Sequence, residues 1–284
     1  MSVGDVYLLP GRDFGLFDAG GSIPDLLVDA LVLVTQLGDP WFVLVAAALF
    51  YLFGHDRRRG ALTVALAMAA LALVVALKHL FAFPRPPSPV HLTAAEGFGF
   101  PSGHAVGSTA VLGALALLAD VWTRRRRLLG AATVVVAVAA SRVGLGVHYV
   151  GDVVVGVAVG LVLLAGTLWI ARDRPARAFL LAVGFAMAAV ALGGGGDAAA
   201  AVGATVGAGL AWIGSDLDGR TVSLPVGVLG LAFFGGLWAA VTATEPAAPL
   251  ALVTNAVAGG GVVALPRISD AVEGHLPRAV RSSG

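Results

Sequence analysis

Residues 141–170 read SRVGLGVHYVGDVVVGVAVGLVLLAGTLWI, and the fold is decided here. From Tyr149 to Ile170 the stretch is apolar for the ~20 residues that a helix needs to cross a ~30 Å hydrocarbon core. Its entrance carries Arg142, His148 and Asp152. An ionisable side chain inside a membrane segment is expensive, so a function is expected of it. His148 and Asp152 are four apart, which stacks them on one face if the helix begins by His148. A carboxylate on one ring nitrogen then fixes the tautomer and leaves the other nitrogen as a nucleophile, the orienting logic of a catalytic triad. The structural alternative is a His–Asp pair that merely satisfies a buried carboxylate. Arg142 adds a cation suited to spread negative charge, and Ser141 is better placed to support Arg142 or a helix end than to react.

Outward from this stretch the chain repeats its apolar character. It has 284 residues, 58% of them hydrophobic and 12% charged, with a mean hydropathy of +0.91. A soluble domain of this size does not have that composition. Apolar runs fall at roughly 26–53, 61–82, 104–122, 128–147, 149–170, 178–194, 198–213, 222–241 and 248–266. The expected fold is therefore all-α, a polytopic transmembrane helix bundle of about nine spans. Gly38-Asp39-Pro40 interrupts the first run, so 26–37 is expected at the interface or as half of a kinked span. Runs 178–194 and 198–213 are short, with only Gly193–Gly196 and Asp197 between them, which leaves open whether they cross fully. Met1–Gly21 lacks the basic and apolar regions of a cleavable signal, so the first span is expected to direct insertion. With no cysteine, disulfide and thiolate chemistry are excluded.

Two further polar islands sit at the ends of apolar runs. The first is Lys78, the single lysine, with Arg85-Pro86. Seven residues are about two helical turns, so on a helix continuing past Lys78 both cations face one point. Snorkelling into headgroups is the plainer alternative. The second island is Pro101-Ser102-Gly103-His104. Capping explains Pro101 and Ser102 but does not call for Gly103 and His104. An anion held at a helix N-terminus benefits from a glycine that allows close backbone approach, with the Ser102 hydroxyl donating to it. His104, with a side chain that titrates near neutrality, is the candidate general acid.

Basic residues mark the cytoplasmic side of membrane helices. With nine spans, one face receives Arg57–Arg59, Arg124–Arg127, Arg172, Arg174, Arg177, Arg220, Arg267, Arg278 and Arg281, 14 of the 18 Lys and Arg. Apart from Arg12, the bases of the opposite face are Lys78, Arg85 and Arg142. The islands and the N-terminus are thus expected outside and the C-terminus in the cytoplasm. That asymmetry also disfavours snorkelling for Lys78 and Arg85. Trp122, Trp169 and Trp212 at inner ends, and Trp41 and Trp238 at outer ends, fit interface anchors, with substrate contact the lesser alternative for Trp41.

The order and spacing of the three islands, eleven specified positions, match the signature of the type 2 phosphatidic acid phosphatase (PAP2) family, which the chain resembles over about residues 40–170. The resemblance implies residue by residue that His148 attacks phosphorus to form a phosphohistidine and that His104 protonates the departing oxygen. Asp152 orients His148, while Lys78, Arg85, Ser102, Gly103 and Arg142 hold the phosphoryl group. It implies no cofactor and no metal, the cations neutralising charge instead; no carboxylate cluster with metal-ligand spacing accompanies the islands. The expected substrate is a lipid phosphate or diphosphate, with membrane lipids around it and no nucleic acid partner. Polyprenyl diphosphate comes first, then phosphatidate or phosphatidylglycerol phosphate, an order resting on family analogy and the outward site. A phosphotransferase using the same phosphohistidine and a non-enzymatic phosphate-recognising membrane protein are the alternatives.

Residues 1–171 are expected to form the phosphatase core and 172–284 additional spans without a chemical signature. Gly156 with Gly160, and Gly203 with Gly207, allow close helix packing within the fold and only weakly suggest a homo-oligomer. Arg124–Arg127 reads as a topology determinant that could also attract anionic lipid heads. His55, His79, His91 and His275 receive no role, and Glu96 contacts substrate or nothing.

Overall fold

The computed structural model describes residues 24–172, 174–214, 222–244 and 246–275. Arg12, Arg220, Arg278 and Arg281 of the base count, and the segment Met1–Gly21, lie outside the described residues. Among those described there are ten α-helices and no strand: α1 (Asp25–Thr35), α2 (Pro40–Phe53), α3 (Arg57–Phe81), α4 (Gly103–Leu118), α5 (Arg124–Gly144), α6 (Val150–Ala171), α7 (Pro175–Ala191), α8 (Gly195–Ile213), α9 (Leu224–Thr242) and α10 (Ala248–His275). All-α is the fold class expected, and each of the nine apolar runs is helical.

By length and composition α3, α5, α6, α8, α9 and α10 can each cross a bilayer, and α1 with α2 meets the same criteria only as a pair bent by 48°, a broken span or a re-entrant loop. This is a membrane protein. α4 and α7, at 16 and 17 residues, are ~24–26 Å long at 1.5 Å per residue, short of the hydrocarbon thickness. The bend falls where the sequence breaks. Pro40 has no N–H and disfavours a helical Asp39, which is extended at φ −64°, ψ 148°. A 3₁₀ turn, Gln36–Gly38, leads into it. At the other end of the chain, α10 runs past the expected stop at 266, carrying Pro266 inside it to His275. In an apolar bundle neighbouring helices re-satisfy the carbonyl a proline releases, so the helix continues.

The described residues divide into two compact units, one of residues up to 43 with 77–164, the other of 44–76 with 165–275. In the first, α4 packs on α5 and α6, and α1 on α5. The α4–α6 approach depends on the glycine pair of α6. A Cβ at Gly156 would lie 2.9 Å from Ser102 O, and one at Gly160 would lie 2.8 Å from Val106 O. In the second, α8 packs on α7 and α10, and α9 on α10. Gly203 and Gly207 play the corresponding part there, against the Leu252 and Ala256 carbonyls. Both pairs serve packing inside the chain.

Candidate active site

All three islands converge in the first unit. The third island comes from the loop between α5 and α6. Helix α6 starts at Val150, so His148 precedes it and does not share its face by helical periodicity. Asp152 reaches back from the first turn of α6: Oδ2 accepts the Tyr149 backbone N–H at 3.1 Å and lies 3.3 Å from His148 Nδ1. An acidic side chain at the third helical position receiving the N-cap amide is half of a capping box. The carboxylate therefore anchors the helix start and the ring together. His148 is 2% and Asp152 0% exposed.

The first island corrects the expectation of one continuous helix through Lys78 and Arg85. Helix α3 carries Lys78 in its last turn and ends at Phe81, and Ala82 turns the chain at φ 48°. Pro84, Pro86 and Pro87 exclude further helix. Arg85 thus arrives from an extended loop, fixed by three contacts: Nε donates to Glu96 O at 3.0 Å, and Nη1 donates to Val147 O at 3.1 Å and reaches His148 Nε2 at 3.1 Å. A guanidinium has no acceptor, so Nε2 presents its lone pair and the ring proton sits on Nδ1, facing Asp152.

The second island opens α4. Ser102 is the N-cap residue in extended conformation, and its backbone N–H donates to Asp152 O at 3.0 Å, tying the second island to the third. Its hydroxyl caps nothing: Ser102 Oγ is buried without a hydrogen-bond partner, as is Arg142 Nε. Gly103 is the first helical residue, and His104 follows it half-buried. Arg142, 6% exposed near the end of α5, donates from Nη1 to Thr35 Oγ1 at 3.1 Å. Ser141 bonds back to Val138 O at 2.7 Å within its own helix. Arg85 and Arg142 act electrostatically on each other and on His148, and Lys78 and Arg142 act on His104.

Burial drives the His148 pKa down to about 3; Asp152 opposes this, and the charges of Arg85 and Arg142 add to it. The ring is therefore neutral across the physiological range. Burial likewise lowers the pKa of Arg85, with Asp152 opposing.

Four partners were not recognised from sequence. Asp39 Oδ1 is 2.6 Å from His104 Nε2, and Asp39 Oδ2 accepts from Trp41 Nε1 at 3.3 Å. Thr35 holds Arg142, and Glu96 contributes its carbonyl, its side chain being exposed. A carboxylate inside an apolar run was the available signal for Asp39. His91, given no role, fastens the loop after the first island through Nε2 to Pro86 O at 2.8 Å. His79 stacks edge-on to Phe98.

A buried neutral imidazole held by a carboxylate, ringed by cations and beside two unsatisfied donors, can hold a tetrahedral oxyanion and attack it. The class is thus a helical membrane protein with a buried histidine–carboxylate pair in contact with an arginine. Residues 60–176, the segment that bears the three islands, match the PAP2 superfamily model. A solved structure, of a transmembrane PAP2 type phosphatidylglycerolphosphate phosphatase from Bacillus subtilis, is similar at 23% identity and a TM-score of 0.48, over 56% of this chain and 82% of its own. No curated protein matches the chain.

Proposed function

We propose that the protein is an integral-membrane phosphatase that hydrolyses a lipid phosphate or diphosphate through a phosphohistidine. The observation that carries this is the His148 ring, whose Nδ1 faces Asp152 while Nε2 offers its lone pair beside the Arg85 guanidinium. Nε2 attacks phosphorus, the bond from phosphorus to the lipid-side oxygen breaks, and that oxygen takes a proton from His104. Water then attacks phosphorus, giving up a proton to His104, and the P–N bond breaks. Inorganic phosphate leaves and His148 returns to neutrality. Lys78, Arg85 and Arg142 neutralise the equatorial oxygens, Ser102 Oγ donates to one of them, and Gly103 lets the helix start approach. PAP2 superfamily sequence over this segment supports a phosphatase.

The lipid is ranked as polyprenyl diphosphate first, then phosphatidate or phosphatidylglycerol phosphate. Residues 1–171 carry the reaction and 172–284 are accessory spans. The site faces outward in the orientation given by the basic residues, which a reporter placed after Gly284 tests by reading cytoplasmic. Purified protein with EDTA is expected to release inorganic phosphate from at least one of these lipids and, after quenching, to retain an acid-labile phosphoryl group on the chain. His148→Ala abolishes both. Loss of activity in EDTA, or turnover that survives His148→Ala, refutes the mechanism.

A further inference from the structure

The two histidines of the site are held by opposite ring nitrogens. His148 is bound to its carboxylate through Nδ1, leaving Nε2; His104 is bound to Asp39 through Nε2, leaving Nδ1. We propose that Asp39 is a positioning residue for the general acid: it keeps a proton on His104 Nε2, so that Nδ1 is the atom that delivers the proton to the leaving oxygen, and it stabilises the imidazolium before delivery. This rests on the assignment of His104 as the acid.

Several observations besides the 2.6 Å contact support a built arrangement. The second carboxylate oxygen is occupied by the Trp41 indole N–H, so the carboxylate plane is fixed at both oxygens. The backbone is fixed too, because Asp39 O accepts from Val43 N at 3.1 Å at the start of α2. Gly38 is pressed against the acid itself: a Cβ there would lie 3.0 Å from His104 Cβ and 2.6 Å from Val138 Cγ1. The bend between α1 and α2 thus places a carboxylate beside a histidine 65 residues away. The pair is only partly shielded, the side chains being 18% and 28% exposed. The other charges acting on His104 are Lys78 of α3 and Arg142 of α5, both cationic. Burial, with those two cations, lowers the His104 pKa, and Asp39 is the anion that opposes the loss of its proton. A carboxylate that holds an imidazole in one tautomer and steadies its protonated form is the division of labour of a Ser-His-Asp triad.

The test uses leaving groups. A short-chain phosphatidate departs as an alkoxide and needs the acid; p-nitrophenyl phosphate departs as a stabilised phenolate and does not. Asp39→Asn keeps the side-chain shape and removes the charge. It is expected to lower kcat on phosphatidate by roughly 10²-fold, the scale of general-acid catalysis, with KM unchanged, and to lower kcat on p-nitrophenyl phosphate less than about 5-fold. His104→Ala shows the same split with a larger loss. Trp41→Phe, which frees one carboxylate oxygen, shifts both rates in the same sense by a smaller factor. Equal losses on the two substrates in Asp39→Asn, or no loss on either, overturn the proposal while a split in His104→Ala leaves the acid assignment standing. Absence of the split in both variants overturns the acid assignment itself.

Discussion

Gly146→Ala probes how the loop that carries His148 is held, and Gly97→Ala calibrates it. Both glycines have positive φ, +71° and +67°. Placing an L-residue in that region costs about 1–2 kcal/mol. At Gly97 nothing lies within 4 Å of an added Cβ, so that penalty is the whole expected effect. At Gly146 the Cβ would collide with Val90 O and sit 2.9 Å from Val90 C. A carbonyl cannot rotate aside as a flexible side chain can, and this one belongs to a segment stitched to the same loop by Leu92 N–H to Leu145 O at 3.0 Å. Overpacking adds about 1–3 kcal/mol, for roughly 2–5 kcal/mol in total at Gly146. Thermal unfolding in detergent should fall by roughly 2–4 °C per kcal/mol, so Gly146→Ala loses several degrees more than Gly97→Ala. Relief of the collision displaces residues 145–148, and a misplacement of about 1 Å at a reacting group is worth ~10²-fold in rate. Gly97→Ala should retain wild-type kcat within a few-fold. Equal unfolding temperatures and equal kcat in the two variants would show that the Val90–Gly146 approach does not hold His148 in place.

Arg85→Lys is expected to reduce kcat/KM by about 10- to 150-fold, as one compact ammonium cannot reach Glu96 O, Val147 O and the His148 ring together and a charge-assisted hydrogen bond is worth ~1.5–3 kcal/mol; activity within threefold of wild type contradicts the geometry. Stability should also report His148. Its folded pKa, about 3, lies below the ~6.5 of an unfolded histidine, so the unfolded chain binds the extra proton between those values. Its stabilising contribution is complete above ~6.5 and declines as pH falls toward 3, by at most about 1.4 kcal/mol per pH unit. Unfolding curves from pH 7.5 to 4.5 should therefore fall more steeply for wild type than for His148→Gln; parallel curves refute the shift.

Legibility from sequence followed the range of each interaction. The helices were readable because a membrane span is a local property of ~20 residues. The Gly38-Asp39-Pro40 break was readable because proline acts on its own backbone and its predecessor's. His148 with Asp152 was visible as a spacing, although the contact arises from a carboxylate reaching back over a helix start and not from a shared face. For Lys78 and Arg85 the spacing was informative and the helical explanation was wrong, since Pro84 sends Arg85 in along an extended path. The contacts that escaped are tertiary: Asp39 to His104 spans 65 residues and Thr35 to Arg142 spans 107. The Glu96 carbonyl was invisible for another reason, because a backbone acceptor is carried by every residue alike.

Arg85 stands across the Nε2 lone pair of His148 at 3.1 Å. With His148 as nucleophile, the resting site is stoppered: the lone pair is engaged until something offers that guanidinium N–H a better acceptor. A phosphoryl oxygen does so, and in taking the N–H it uncovers the nitrogen that attacks it. A neutral electrophile offers no such exchange and meets a blocked ring. On the proposed mechanism, Arg85 would make the release of the nucleophile conditional on an anion, a form of substrate selection that depends on charge and is indifferent to what lies beyond the phosphoryl group.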